Sequence, residues 1–150
     1  MGGGGGSGVY LRIDENLADV ESPSASVKNL ELYDDRNNTM LGDIAGETLK
    51  AGTSTGISNT LVGWNAGTEI NSGIGNTGVG NPALGSLTTG SNNVALGHEA
   101  LADVSINSDN TAVGAYALEK NTVGQNTAVG AYAAQNNTTG KQLTAVGWNA

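Results

Sequence analysis

Val-Gly or Leu-Gly pairs punctuate this chain at a nearly constant interval. With the glycine as anchor they fall at Gly42, Gly63, Gly80, Gly97, Gly114, Gly130 and Gly147, spaced by 21, 17, 17, 17, 16 and 17 residues. Around the anchors the apolar and polar positions recur in one frame. The residue before each anchor is Leu41, Val62, Val79, Leu96, Val113, Val129 or Val146, and the third residue after it is always alanine, from Ala45 and Ala66 to Ala150. Two before the anchor, Ala95, Ala112, Ala128 and Ala145 are apolar as well. Three before it, Thr39, Thr60, Thr77, Thr111, Thr127 and Thr144 form a threonine column. A second glycine follows ten residues after the anchor, at Gly52, Gly73, Gly90, Gly124 and Gly140, with Asn107 in that place once. Asparagine is the usual substitute where φ is positive, so a left-handed turn is expected there. Each unit then has two turn points and two pieces of strand length, which predicts one coil of a repetitive parallel β-solenoid or β-roll.

Helix is the competing reading for alanine-rich pieces such as AYALEK. A glycine every seven to ten residues would cost about 1 kcal/mol each in a helix interior. The β-branched Thr and Val three and one before the anchor favour a pleated strand. The expected fold class is therefore all-β, with seven units of ~17 residues between residues 38 and 150, the last cut short.

Neighbouring residues of a strand point to opposite faces, yet the two positions before the anchor are both apolar. One face would fill the coil and the other would meet a second copy of the chain. The expected core and interface set is Val62, Val79, Leu96, Val113, Val129 and Val146 with Ala112, Ala128 and Ala145, in an obligate homo-oligomer. Four before the anchor stand Asn38, Asn59, Asn76, Asn93, Asn110 and Asn126, with Leu143 the one departure. Either the amides stack as a ladder from coil to coil, or each asparagine starts a turn.

Composition narrows the function. The chain has 150 residues and no Phe, so a large aromatic core is excluded, and Gly is abundant while Pro is scarce, which excludes a collagen-like helix. Six basic against fourteen acidic residues leave a formal charge of −8, so no basic surface is available for nucleic acid. Without cysteine there are no disulfides, thiolate metal sites or thiol catalysis. No apolar run is long enough to cross a membrane, and Met1 is followed by glycines, not by a basic start and an apolar stretch.

Candidate chemistry is sparse. GIGNTG at Gly73 to Gly78 matches the dinucleotide fingerprint, but the repeat frame already accounts for these glycines and no helix pattern follows. His98, the one histidine, reads as a surface residue more than a metal ligand. Asp34 and Asp35 read as a solvated turn, and Glu69, Glu99, Asp103, Asp109 and Glu119 recur at no single repeat position, so no carboxylate pair for glycoside hydrolysis is marked out. Asn37, Asn136 and Asn137 meet the glycosylation pattern and read as turn residues. The expectation is a non-enzymatic protein with no catalytic, cofactor or metal site. Trp64, Tyr116, Tyr132 and Trp148 stand one or two after an anchor glycine and are candidates for contact with a receptor's sugars or with the other copies.

The units NNVALG at Asn92 to Gly97 resemble the head repeats of trimeric autotransporter adhesins, which implies left-handed parallel β-rolls assembled as trimers. NTAVGAYAL followed by NTTG is similar to the repeat arrays of phage and algal-virus fibre proteins. The resemblance covers Asn38 to Ala150 and departs from the pattern in the first unit, which is four residues longer. It implies a homotrimer, intertwined or side by side.

The N-terminal part differs in character. Residues 1–8 read as a flexible glycine-rich tail. In residues 9–37, Val9, Leu11 and Ile13 alternate with polar neighbours, and Leu30 and Leu32 do so again, which predicts two half-buried strands. This segment is expected to dock on a virion, or to form a small folded collar. The final WNA matches Trp64 to Ala66 and stops inside a repeat, so the protein is expected to continue beyond residue 150. The functional expectation is a tail or capsid fibre on the particle surface, bound to virion proteins through its N-terminal part and to a glycan or protein receptor on the host. Alternatives are a trimeric adhesin on a bacterial surface, an ice-binding β-solenoid, and the stalk of a glycan-degrading tailspike whose catalysis lies beyond residue 150.

Overall fold

The computed structural model describes residues 36–50 and 53–150. The expected anchor strands, with Val9, Leu11, Ile13, Leu30 and Leu32, lie outside the described residues, as does Gly52. The seven repeat units form a single β-solenoid. Its strands are β1 (Thr39–Leu41), β2 (Thr60–Val62), β3 (Thr77–Val79), β4 (Val94–Leu96), β5 (Thr111–Val113), β6 (Thr127–Val129) and β7 (Thr144–Val146). They pair in chain order, each parallel to the next. Register follows the repeat frame: Thr60 pairs with Thr77, Val62 with Val79, and Val113 with Val129. The ladder runs one residue past each strand end, since Thr60 N–H donates to the Asn76 carbonyl and Gly63 N–H to that of Leu41, both at 2.8 Å.

Each coil has one regular strand, not two. The second expected strand is irregular, and its ladder is reduced to one parallel bridge between Ile57 and Ile74. The segment after each of the first six anchors is instead a run of turns in which the fourth residue takes positive φ, as Leu118 does (51°), and the second does too, as Tyr116 does (60°), except at Pro82. Such conformations cost about 1 to 2 kcal/mol each outside glycine. Hydrogen bonds between coils hold them: Tyr116 N–H donates to His98 O at 2.8 Å and Leu118 N–H to Ala133 O at 3.0 Å.

The four extra residues of the first coil fall in this irregular part, where a one-turn helix, α1 (Glu47–Lys50), replaces the turn. The Arg36 guanidinium donates to the carbonyl of Leu49 in this helix and to that of Ser54 at 2.6 Å. It thereby satisfies the Leu49 carbonyl, which has no partner within so short a helix.

The interior is filled by four columns of side chains. Residues two before the anchor (Met40, Leu61, Ala95, Ala112, Ala128), three after it (Ala45 to Ala133) and seven after it (Leu49, Ile70, Leu87, Val104) are buried. The fourth column, four after the anchor, trades volume with the first. Where Met40 and Leu61 reach across the coil, Gly46 and Gly67 face them, and a Cβ on Gly67 would come within 2.6 Å of Leu61 Cδ2. Where Gly78, Ala95 and Ala112 leave space, buried Leu84, Leu101 and Leu118 fill it. Large faces small in the first five coils, which keeps the cross-section close-packed there, whereas the sixth coil carries Ala128 and Ala134 at the two positions.

The two glycine columns have different causes. The anchors sit at φ between 127° and 142°, and a Cβ on Gly97 would meet the Gly114 carbonyl at 2.6 Å. Both conformation and contact require glycine there. The second column is not at positive φ, contrary to the turn expected from Asn107. Its glycines are required by closeness: a Cβ on Gly73 would stand 2.5 Å from Gly90 O, and one on Gly90 2.1 Å from Asn107 O. In the long first coil the place is held by Gly56, whose Cβ would approach Gly73 O to 2.9 Å. Counting ten residues forward from Gly42 gives Gly52 instead, because the first unit is four residues longer.

Candidate functional site

Three features stand out on the coil stack: a buried asparagine ladder, an outward sheet face that runs its length, and an aromatic column across three coils. The ladder occupies the corner just before each strand. Asn38, Asn59, Asn76, Asn93 and Asn110 are fully buried. In each step the Oδ1 of one asparagine accepts the backbone N–H and the side-chain amide of the next, at 2.9 and 3.0 Å for Asn59 to Asn76. The second amide hydrogen goes to a backbone carbonyl, from Asn76 to Gly90 O at 2.9 Å in the next turn and from Asn110 to Ser108 O at 3.3 Å just before it. Every polar atom of these amides is thereby satisfied inside the protein, which burial demands. The stacked reading of the asparagines therefore describes the structure.

The coil that is one residue short breaks this geometry, and the structure repairs it with a residue outside the expected column. Asn121 stands seven after its anchor, where earlier coils carry Leu49, Ile70, Leu87 and Val104. Its amide donates to Asn110 Oδ1 at 3.2 Å, and its own Oδ1 accepts from Asn126 at 3.2 Å and from Asn137 at 3.0 Å. The signal was present in the sequence as the switch from apolar residues to asparagine at that position. At Leu143, which lacks an amide, the backbone N–H still donates to Asn126 Oδ1 at 2.9 Å.

The outward face of the sheet presents two columns. The residues one before the anchor point out: Leu41 is 39% exposed and Leu96 47%, while Val62, Val79 and Val113 are half-buried. The threonine column lies beside them on the same face, since positions one and three before the anchor share a side of a strand. Ala112, Ala128 and Ala145 point the other way, into the coil. The residues expected as core and interface are thus divided, alanines inside and valines outside.

The aromatic column follows the anchors. The rings of Tyr116 and Tyr132 stack at 4.9 Å with planes 7° apart, and His98 meets Tyr116 edge-on at 5.2 Å. The stacked pair cover one another's faces, so a sugar lying along the column would meet ring edges and not faces. Burial raises the Tyr116 hydroxyl above the ordinary tyrosine range, and the Glu99 carboxylate, Tyr132 and Glu119 push it the same way. His98 Nε2 lies 3.1 Å from Glu99 Oε1 on the surface. Trp64 and Trp148 are exposed and form no part of this stack of rings.

The remaining candidates are dispersed through the repeat frame. Gly73 and Gly78 of the dinucleotide-like motif are used in packing, Gly78 by leaving room for Leu61 and Leu84 inside β3. Asn136 is exposed, whereas the Asn137 amide donates to Asn121 and Gly140 inside a turn. Among the described residues no three His, Asp or Glu side chains come together as a metal site, and no helix is long and apolar enough to cross a membrane. No protein-family model matches the chain, and neither a curated protein nor a solved structure matches it.

Proposed function

We propose that this chain forms the shaft of a viral fibre, a non-enzymatic structural element that acts as a homotrimer. Its N-terminal part docks on tail or capsid proteins of the virion, and the fibre reaches a glycan or protein receptor on the host. The observation that carries this reading is the continuity of the stack. Each coil is joined to the next by the parallel ladder and, inside it, by the asparagine ladder, so that each ~17 residues are converted into about 4.8 Å of length. Such a design supplies reach and stiffness from a repeated unit, and its chemistry is spent on coil-to-coil contacts instead of on a cleft. The likeness of NTAVGAYAL to fibre-protein repeats points the same way.

The test is electron microscopy of intact particles labelled with an antibody against the repeat region. Label along projecting fibres is the expected result. Label confined to a bacterial cell surface would move the assignment to the adhesin reading and overturn this one.

A further inference from the structure

We infer that the outward face of the β1–β7 sheet is the seam on which a second copy of this chain lies, parallel and in register. The inference rests on the proposed self-assembly and names the surface that carries it. The face consists of fourteen positions, Leu41 to Val146 in one column and Thr39 to Thr144 in the other, and none is charged. The chain as a whole carries a formal charge of −8, and Asp43, Glu69, Asp103, Lys120 and Lys141 are exposed elsewhere on the coil. Charge is thus kept off one strip that runs unbroken through all seven strands. Val94 replaces the threonine of its column without adding polarity.

The period argues for a copy of the same chain over any other partner. Rungs recur every ~4.8 Å along the strip. A parallel copy repeats at that same spacing, so every Val can meet a Val or Leu and every Thr hydroxyl another hydroxyl, pairings that stabilise facing strands. A globular partner would match one or two rungs and leave the others wet. Size agrees as well: seven rungs make a strip about 30 Å long. Its side chains offer of the order of 500 Å² of surface, the size of the largest patch on a typical monomer, which is often a functional one.

The experiment uses the full chain. Sedimentation equilibrium is measured for the wild type, for the Val79→Lys, Val113→Lys double variant, and for Thr89→Lys, which places a charge at an exposed site off the strip. The double variant is expected to associate at least a hundredfold more weakly, and Thr89→Lys to behave as wild type. To separate assembly from any effect of the lysine pair on folding, a second arm exploits the absence of cysteine. Spin labels on Thr111→Cys should lie about 10 to 20 Å apart between copies, as sheets packed about 10 Å apart require, and labels on Thr89→Cys should lie farther apart. An assembled double variant, or Thr111 labels no closer than Thr89 labels, overturns the seam and leaves self-assembly standing. A monomeric wild type overturns both, and thermal hysteresis in that monomer would reassign the strip to ice.

Discussion

Asn76 Oδ1 accepts two hydrogen bonds from Asn93, one from its backbone N–H at 3.0 Å and one from its side-chain amide at 3.1 Å. A carboxylate at position 93 keeps the oxygen but loses the donor, and it turns a second acceptor toward Asn76 Oδ1. Aspartate is as good a turn former as asparagine, so the substitution separates the two roles. Asn93→Asp is expected to cost at least about 3 kcal/mol, because one oxygen of a buried charge then faces two acceptors, Asn76 Oδ1 and Asn107 O, where the amide donated to both. Chemical denaturation at fixed protein concentration measures it. A nearly neutral result would show that the asparagines act only in turns.

The trade of volume across the coil predicts strong coupling between Leu61 and Gly67. Leu61→Ala alone should cost about 2 to 4 kcal/mol through the cavity it leaves. Gly67→Leu alone should cost about 1 to 3 kcal/mol, since its Cβ would already crowd Leu61. Gly67 has φ of 56°, and Leu84 occupies the equivalent place at 57°, so the backbone accepts leucine there. The double variant should therefore recover at least about 1.5 kcal/mol relative to the sum of the two. Additive losses in a double-mutant cycle would refute the exchange.

Positive φ alone does not make a glycine irreplaceable. Gly97, at 142° and pressed on the Gly114 carbonyl, should lose more than about 3 kcal/mol on change to alanine. Gly75, at 68°, has only Asn92 Oδ1 nearby, at 3.1 Å from an added Cβ, and asparagine already occupies equivalent places at Asn37 and Asn92. Gly75→Asn should stay within about 1 kcal/mol of the wild type. Thermal melts of both variants at equal concentration compare them.

The raised Tyr116 hydroxyl makes stability fall at high pH. The folded chain holds this proton above the pH at which an unfolded tyrosine releases it. Its contribution is fully present below about pH 10 and is lost as pH rises through the folded value. Absorbance titration of the phenolate should show Tyr116 ionising late, and Glu99→Gln should bring it closer to the ordinary range by removing one neighbouring charge. An unshifted titration in the wild type would contradict the environment described for Tyr116.

The period, the anchor glycines and the parallel register could be read from the sequence, because a solenoid is nearly one-dimensional. Each unit meets only its neighbours, so equal spacing in the chain becomes equal height in the stack. Alternation put Val113 on the face opposite Ala112, but which of the two faces points outward was decided by the fold, which buries Ala112. What lies across the coil was decided by tertiary structure. Leu61 and Gly67 exchange volume, Asn121 enters the ladder beside Asn110, and Gly56 takes the place expected of Gly52, because these contacts depend on how the irregular turns close. Their path is set by packing and by hydrogen bonds to adjacent coils, which local spacing does not encode.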